Sequence, residues 1–336
     1  MTPSAPPPAT AADAADCFLA AAGFAAAYRR PIPPDAGHRA YTRLDGGPRP
    51  ALLLDARAAA RVGVDHAADL ARFAALARHL AAHGIAAPAI LAEAPAAGFL
   101  LIEDLGPRTM AEALDDGADP LPLYRAAAET LAAFHRIPPL AGLPRWDAPA
   151  MTAAAEATFL DWWWPAAFGT DPRPAQRQGF RAAMRAMLAP FADAACLLHR
   201  DFFPANLIPR ADGRLGVIDF QDAALGHPAY DLVSLIEDAR RDVPEAIRTA
   251  VLARYRQAGG RVEEAAIAAM AAQRHLRVAG LWVRLARRDG KRRYLVHGPR
   301  TWALLERALA HPAAAPLAAF LAAEVPPARR GNPEKA

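Results

Sequence analysis

Lysine is nearly missing from this chain: of its 39 basic residues only Lys291 and Lys335 are lysines, and none precedes position 291. That excludes a phosphate loop of the form G-x-x-x-x-G-K-[ST], and a G-x-G-x-x-G turn is absent as well. Cysteine is scarce too. Cys17 and Cys196 are the whole supply among 336 residues, which disfavours a structural disulfide framework and suits a reducing compartment. No run of about 18 uncharged apolar residues offers a membrane span. The alanine-rich start holds Asp13 and Asp16 and has no basic stretch ahead of it, unlike a secretory signal. The net charge is +4, yet the arginines alternate with acids, and no long basic run occurs outside Arg284 to Arg293. These absences point away from nucleic-acid and membrane partners and suit a soluble cytoplasmic protein; a monomer is expected, although nothing in the composition decides it.

What is present is ordered along the chain. The spacing predicts a helix over 12–28 and strands over about 38–56 around Asp45-Gly46-Gly47. A second helix runs from Asp65 to the stop at Gly84, and short strands follow near Ala89-Ile90-Leu91 and Gly98 to Glu103. From Arg108 nearly everything reads as helical. The expected fold is therefore α+β and bilobal: an N-terminal lobe over 11–105 built on a small antiparallel sheet with a helix, a hinge at 103–106, and a larger, mainly helical lobe over 107–324. The tails, 1–10 and 325–336, are rich in proline or charge and are expected to be disordered.

One segment interrupts the helical half. LLHRDFFPANLIPRADGRLGVIDFQDA spans Leu197 to Ala223, and Asp212-Gly213 lies between two apolar runs, a strong hairpin signal. The hairpin, counted with the helical lobe as 197–222, would return Asp219 toward Asp201 and Asn206. Phosphoryl transfer needs a group to accept or orient the proton of the attacking hydroxyl, and hard oxygen ligands for magnesium. Asp201 suits the first task, Asn206 and Asp219 the second. HRD followed by four residues and Asn, then Asp-Phe, matches the kinase spacing. ATP and Mg²⁺ are thus the expected donor and cofactor. His199 is assigned a structural part, as is Asp231, which either caps the helix it begins or braces the catalytic loop. Gln221 stands where protein kinases carry glycine, and no long activation segment follows.

At these residues the chain resembles the aminoglycoside phosphotransferase/choline kinase superfamily of small-molecule kinases. Within it, IDFQDA (Ile218 to Ala223), YDLVSL (Tyr230 to Leu235), RLARRDGKRRYL (Arg284 to Leu295), PRTWALLERAL, DAGHRAYTRL (Asp35 to Leu44) and LLLDA (Leu52 to Ala56) are similar to the bacterial anomeric kinases of N-acetylmuramate and N-acetylglucosamine. The likeness covers about Phe18 to Leu321. It implies γ-phosphate transfer to the anomeric C1 hydroxyl of one or both sugars, in the recycling of cell-wall peptidoglycan. It also implies that the Glu103 carbonyl and Leu105 N–H meet the adenine edge.

The phosphate end departs from the kinase pattern, because strand ALLLDA offers Asp55 where a lysine is expected. Arg39 or Arg43 is the candidate replacement, with the Gly37-His38 turn supplying backbone N–H groups, since arginine chelates phosphate in a bidentate manner. The helix acid to partner it is Asp65 or Asp69. For the acceptor pocket the candidates are Asp222, Trp163 from the Trp162-Trp163-Trp164 run, and Arg284 and Arg288, two cations suited to an acidic sugar. Two alternatives stay open: a kinase for another acceptor (aminoglycoside, choline, homoserine or ketosamine), and a non-catalytic kinase-like binding protein.

Overall fold

The computed structural model describes residues 11–33, 39–192 and 195–333. The chain forms two compact units: one runs to Ala113 and takes back Leu207–Gln221, and the other holds Leu114–Asn206 and everything from Asp222 on.

The first unit opens with helix α1 (Ala11–Ala21) and continues through β1 (Tyr28–Ile32), β2 (Ala40–Asp45) and β3 (Ala51–Asp55). Helix α2 (His66–Ala82) follows, then β4 (Ile90–Ala94) and β5 (Phe99–Glu103). The strands form one antiparallel sheet in the order β1-β2-β3-β5-β4. Leu44, Ala51, Leu53, Phe99 and Leu101 meet Ala15, Leu19 and Phe24 in a core on one face. The first helix is shorter than its alanine content suggests: it ends at Ala21, and the chain turns through Gly23 at φ 81°. The residues beyond form β1, a strand unforeseen in the sequence because Pro31 interrupts it; an edge position tolerates proline. Asp65 caps α2, its carboxylate accepting from the N–H groups of Ala67 and Ala68.

The second unit begins near α3 (Met110–Asp115) and α4 (Pro120–Phe134), followed by β6 (Arg145–Trp146) and α5 (Ala148–Ala155). A π-helical stretch, Glu156–Trp163, runs into α6 (Trp164–Phe168), and α7 (Pro174–Leu188) and β7 (Cys196–Leu198) come next. Strands β8 (Leu207–Pro209) and β9 (Leu215–Val217) pair as the expected hairpin, with Leu207 opposite Val217. The hairpin does not go with the helical lobe, as its place in the chain suggests, but packs with the first unit: the Val217 N–H donates to the Ala86 carbonyl. Leu105 presses on Gly216 so closely that a Cβ there would sit 2.8 Å from its Cδ1. After β10 (Ala224–Gly226), which joins β6 and β7 in a small sheet, come α8 (Ala229–Ile236), α9 (Glu245–Gln257), α10 (Glu264–Arg288), α11 (Gly298–Leu309) and α12 (Ala315–Glu324). Helix α10 is the axis of this unit. It crosses the π-helical stretch at Gly280, where a Cβ would stand 2.4 Å from the Thr158 carbonyl carbon.

The C-terminal segment is not the loose tail expected of 325–336. Val325 is fully buried, Trp163 Nε1–H donates to the Gly331 carbonyl at 2.8 Å, and Arg330 pairs with Glu306 at 2.8 Å. The burial of one valine and one indole hydrogen bond outweigh the composition; residues 334–336 and the other tail, 1–10, lie outside the described residues. Cys17 and Cys196 are free thiols. No described helix is long and apolar enough to cross a membrane.

His227, just ahead of α8, makes the fold sensitive to acid. Its Nδ1 accepts from the Ala229 N–H at 3.2 Å, and burial pushes its pKa down to about 4. The folded state therefore resists protonating it, so its stability is whole above the unfolded value of about 6.5 and is lost as pH falls toward 4. At a partly exposed site this amounts to the order of 2 kcal/mol. Denaturant titrations at pH 7 and pH 4.5 are expected to show His227→Gln losing less stability than wild type by about that amount. Equal losses would contradict the assignment.

Candidate active site

The segment that carries Asp201 sits between β7 and the 3₁₀ turn Pro204–Asn206. Its backbone is held by Asp231, which is fully buried on the first turn of α8. The Asp231 carboxylate accepts from the N–H groups of His199 and Arg200, both at 2.7 Å, and lies 3.4 Å from His135 Nε2. Of the two structural roles open in the sequence, Asp231 therefore takes the brace and not the helix cap. His199 is buried too, its Nδ1 accepting from the Asp201 N–H at 3.3 Å and its ring lying edge-on to Phe202.

This bracing forces Arg200 to φ 75°, a left-handed conformation costly for a residue with a side chain and typical of functional turns. Its guanidinium lies 3.9 Å over Trp146 and donates to the Asp222 carbonyl at 3.3 Å. Asp201 follows with its side chain 38% exposed. Burial alone would raise its carboxyl, but the charges of Arg274, Arg277, Arg200 and His199 outweigh it and hold the group below the usual carboxylate range. Arg274, on α10, stands 3.5 Å from Asp201 Oδ1 and donates to the Arg200 carbonyl at 3.0 Å. Asn206 is oriented as well: its Nδ2 donates to the Asp201 carbonyl at 2.9 Å, turning the amide oxygen to the other side.

In the first unit a second group of residues gathers. Arg39 makes a two-pronged ion pair with Asp69 of α2, Nε–Oδ2 2.9 Å and Nη2–Oδ1 2.6 Å, and both side chains are largely buried. Asp65 is spent on the helix cap, so Asp69 is the acid that partners the strand-side base. Tyr41 lies within electrostatic reach of Arg39 and Asp219; burial first, then the Asp219 charge, pushes its hydroxyl up to about 12. Asp219 takes φ 64°; with Arg200 it completes the set of described non-glycine residues at positive φ. Gln221 Nε2 donates to Asp219 Oδ1 at 2.7 Å, and Phe220 packs on Phe73 of α2 with centroids 4.9 Å apart. Among the described residues no three His, Cys, Asp or Glu side chains cluster as a metal site.

Arg43 is a correction. Its fork goes to Asp104 (2.5 and 3.1 Å) and to the Gly106 carbonyl at 2.9 Å, so it clamps the Glu103–Gly106 turn rather than extending toward phosphates. In that turn Glu103 lies 3.5 Å from Arg210 and Leu105 is buried against Gly216. The Gly37-His38 turn lies outside the described residues. Asp55, the acid on β3, pairs with Arg57 at 2.6 Å.

The acceptor candidates fare unevenly. Trp163 is a second correction: it is fully buried, stacked on Phe159 at 4.6 Å and packed on Trp302, because a π-helical turn rotates it into the core. Asp222 is exposed, with its carbonyl on Arg200. Arg288 is bound to its neighbour Asp289 at 2.7 and 3.0 Å. Arg284 is half-buried near Arg277 and Arg288, its pKa lowered by burial and then by those charges.

Sequence reasoning missed Arg274, Arg277, His135 and the Gln221 contact. The first two carried a readable signal: Arg274, Arg277, Arg284 and Arg288 recur at helical spacing in a largely apolar stretch. The third had none, since His135 meets Asp231 across 96 residues.

Residues 29–271 match the phosphotransferase enzyme family. A protein of Caulobacter vibrioides named N-acetylmuramate/N-acetylglucosamine kinase is 36% identical, over 92% of this chain and 95% of its own. One of the same name from Pseudomonas aeruginosa is 32% identical over 83% of each chain. Among solved structures, a choline/ethanolamine kinase family protein from Mesorhizobium loti superposes with a TM-score of 0.60 at 17% identity, covering 93% of this chain and 99% of the other. An ADP-bound aminoglycoside phosphotransferase gives 0.57 at 16%, covering 84% and 93%. At those identities the likeness is one of fold.

Proposed function

The chain belongs to the phosphotransferase enzyme family, and we propose that it is an ATP-dependent sugar kinase acting as a cytoplasmic monomer. Its acceptor is the anomeric C1 hydroxyl of N-acetylmuramate, N-acetylglucosamine or both, within the recycling of cell-wall sugars. The observation that carries this is the Asp201 loop: an ionised carboxylate, part-exposed, on a backbone pinned by Asp231 and with Asn206 tied to it. The sugar comes from the names borne by the relatives.

In this mechanism the C1 oxygen attacks the γ-phosphorus of ATP, the bond to the β-phosphate oxygen breaks, and ADP leaves. Asp201 orients the hydroxyl and takes its proton. An anomeric hydroxyl is more acidic than an ordinary alcohol, so a carboxylate held below its usual range serves by positioning more than by basicity. Asn206 and Asp219 would hold a magnesium ion through amide and carboxylate oxygens, a donor set suited to it, and the ion would supply neutralisation of the phosphate charge. Gln221 holds the Asp219 carboxylate in orientation. Glu103 and Leu105 offer backbone groups for the adenine edge. Arg39, set by Asp69, fills the place of the missing lysine.

The arginine role is testable by itself. Arg39→Ala is expected to raise the KM for ATP about 10- to 100-fold, the usual effect of one charge-assisted hydrogen bond. Arg39→Lys should recover only part of it, because an ammonium lacks the fork that meets Asp69. An unchanged ATP KM in both variants would contradict the role.

A kinase for aminoglycosides is the nearest alternative, and α10 speaks against it. Polycationic acceptors call for acids near the reacting hydroxyl, whereas Asp201 is faced by Arg274 and Arg277. ATP consumption over N-acetylmuramate, N-acetylglucosamine, kanamycin, choline and homoserine tests the choice. Turnover with the amino sugars is expected; turnover with kanamycin alone would overturn it.

A further inference from the structure

Helix α10 is 25 residues long and largely buried. One stripe of it is apolar, with Val278, Trp282 and Leu285 packed on Tyr294. Beside that stripe run Arg274, Arg277, Arg284 and Arg288, at intervals of three, seven and four residues, which return to one face at 3.6 residues per turn. Such a row in a buried helix needs partners, and the two ends have them. Arg274 contacts Asp201 and the Arg200 carbonyl and lies over Tyr230 at 5.4 Å. Arg288 pairs with Asp289.

The two in the middle differ. The Nε atoms of Arg277 and Arg284 are buried and have no hydrogen-bond partner among the described residues. A buried donor without an acceptor is costly, and native structures avoid it unless a ligand or water completes it. The charges also repel, since Arg288 and Arg277 add to burial in lowering the pKa of Arg284. An anion would relieve both costs.

The geometry points to that anion being the carboxylate of an acidic sugar acceptor: we propose that Arg277, backed by Arg284, binds the lactyl carboxylate of N-acetylmuramate and sets preference for it over N-acetylglucosamine. This rests on the sugar-kinase reading above. The two sugars differ by the lactyl ether on O3, so a carboxylate site is the one feature that separates them. With C1 at Asp201, O3 sits on the ring carbon two bonds from C1, and the lactyl group extends outward from that side of the ring. Arg277 stands one turn along α10 from Arg274, about 4.5 Å of rise, and Arg284 about 15 Å. A guanidinium fork at the nearer distance spans the ring and meets a carboxylate with two parallel hydrogen bonds.

The test is the ratio of kcat/KM for the two sugars. Arg277→Met keeps the apolar stem and removes charge and donors. Its kcat/KM for N-acetylmuramate is expected to fall about 10- to 100-fold further than that for N-acetylglucosamine, mostly through KM, with Arg277→Lys between. Equal falls for both sugars, or no fall, would overturn the assignment. Should Arg277→Met fold poorly, the wild-type enzyme gives the same information. The methyl ester of N-acetylmuramate should then react at least about tenfold less efficiently than the acid, and equal efficiencies overturn the proposal. A wild-type enzyme that phosphorylates neither sugar sinks the sugar-kinase reading first and this one with it. Activity on both with an unchanged ratio sinks this one alone.

Discussion

Asp201→Asn is expected to lower kcat by about 10²- to 10⁴-fold, the range for loss of a positioned general base, while ATP still binds. The substitution keeps the size of the side chain and an oxygen for the Arg274 contact at 3.5 Å. It removes the negative charge that, in the proposed mechanism, orients and receives the proton. Because the loop is held through backbone N–H groups on Asp231 and not through the Asp201 carboxylate, its conformation should survive. Steady-state kinetics with a nucleotide-binding titration separate the two effects. A variant with near-wild-type kcat would remove Asp201 from the mechanism, and one that no longer bound ATP would show that its carboxylate supports the fold.

The largest effect on stability is expected at Asp231. Asp231→Ala leaves two buried backbone N–H groups without their acceptor and His135 without its carboxylate. Each orphaned donor costs about 1–3 kcal/mol, so the two together give a loss of about 2–6 kcal/mol, much of the margin of a native protein. Asp231→Asn should lose less, since one oxygen can still accept. Activity should fall with both, because the strained Arg200 turn at φ 75° no longer has what holds it. Denaturant unfolding measures the first effect; a change below about 1 kcal/mol would mean the loop is held by its packing, not by this carboxylate.

Which parts of this were legible in the sequence follows from range. The hairpin, the cap at Asp65 and helix α2 are local, and their signals are turn chemistry and spacing within a few residues. The expectation for Asp201, Asn206 and Asp219 rests on local spacing and on the residue types that phosphoryl transfer demands. Strand β1 was not, since its pairing with β2 overrides an unpromising Tyr-Arg-Arg-Pro-Ile stretch. The arginines show the limit clearly. Arg39 and Arg43 look alike in AGHRAYTRL, and only the folded sheet assigns one to Asp69 and the other to Asp104. Trp163 lies in the core together with Trp164, and local spacing does not say which of three adjacent indoles stays outside.

The central claim is phosphate transfer from ATP to the anomeric hydroxyl of an amino sugar, and ³¹P NMR of the product tests it most directly. Incubation with ATP, magnesium and N-acetylmuramate or N-acetylglucosamine is predicted to yield a sugar 1-phosphate, with loss of the reducing end and a phosphorus signal coupled to the C1 proton. A product that keeps its reducing end and carries phosphate at C6, or no sugar phosphate at all from an enzyme that consumes ATP with another acceptor, would contradict it.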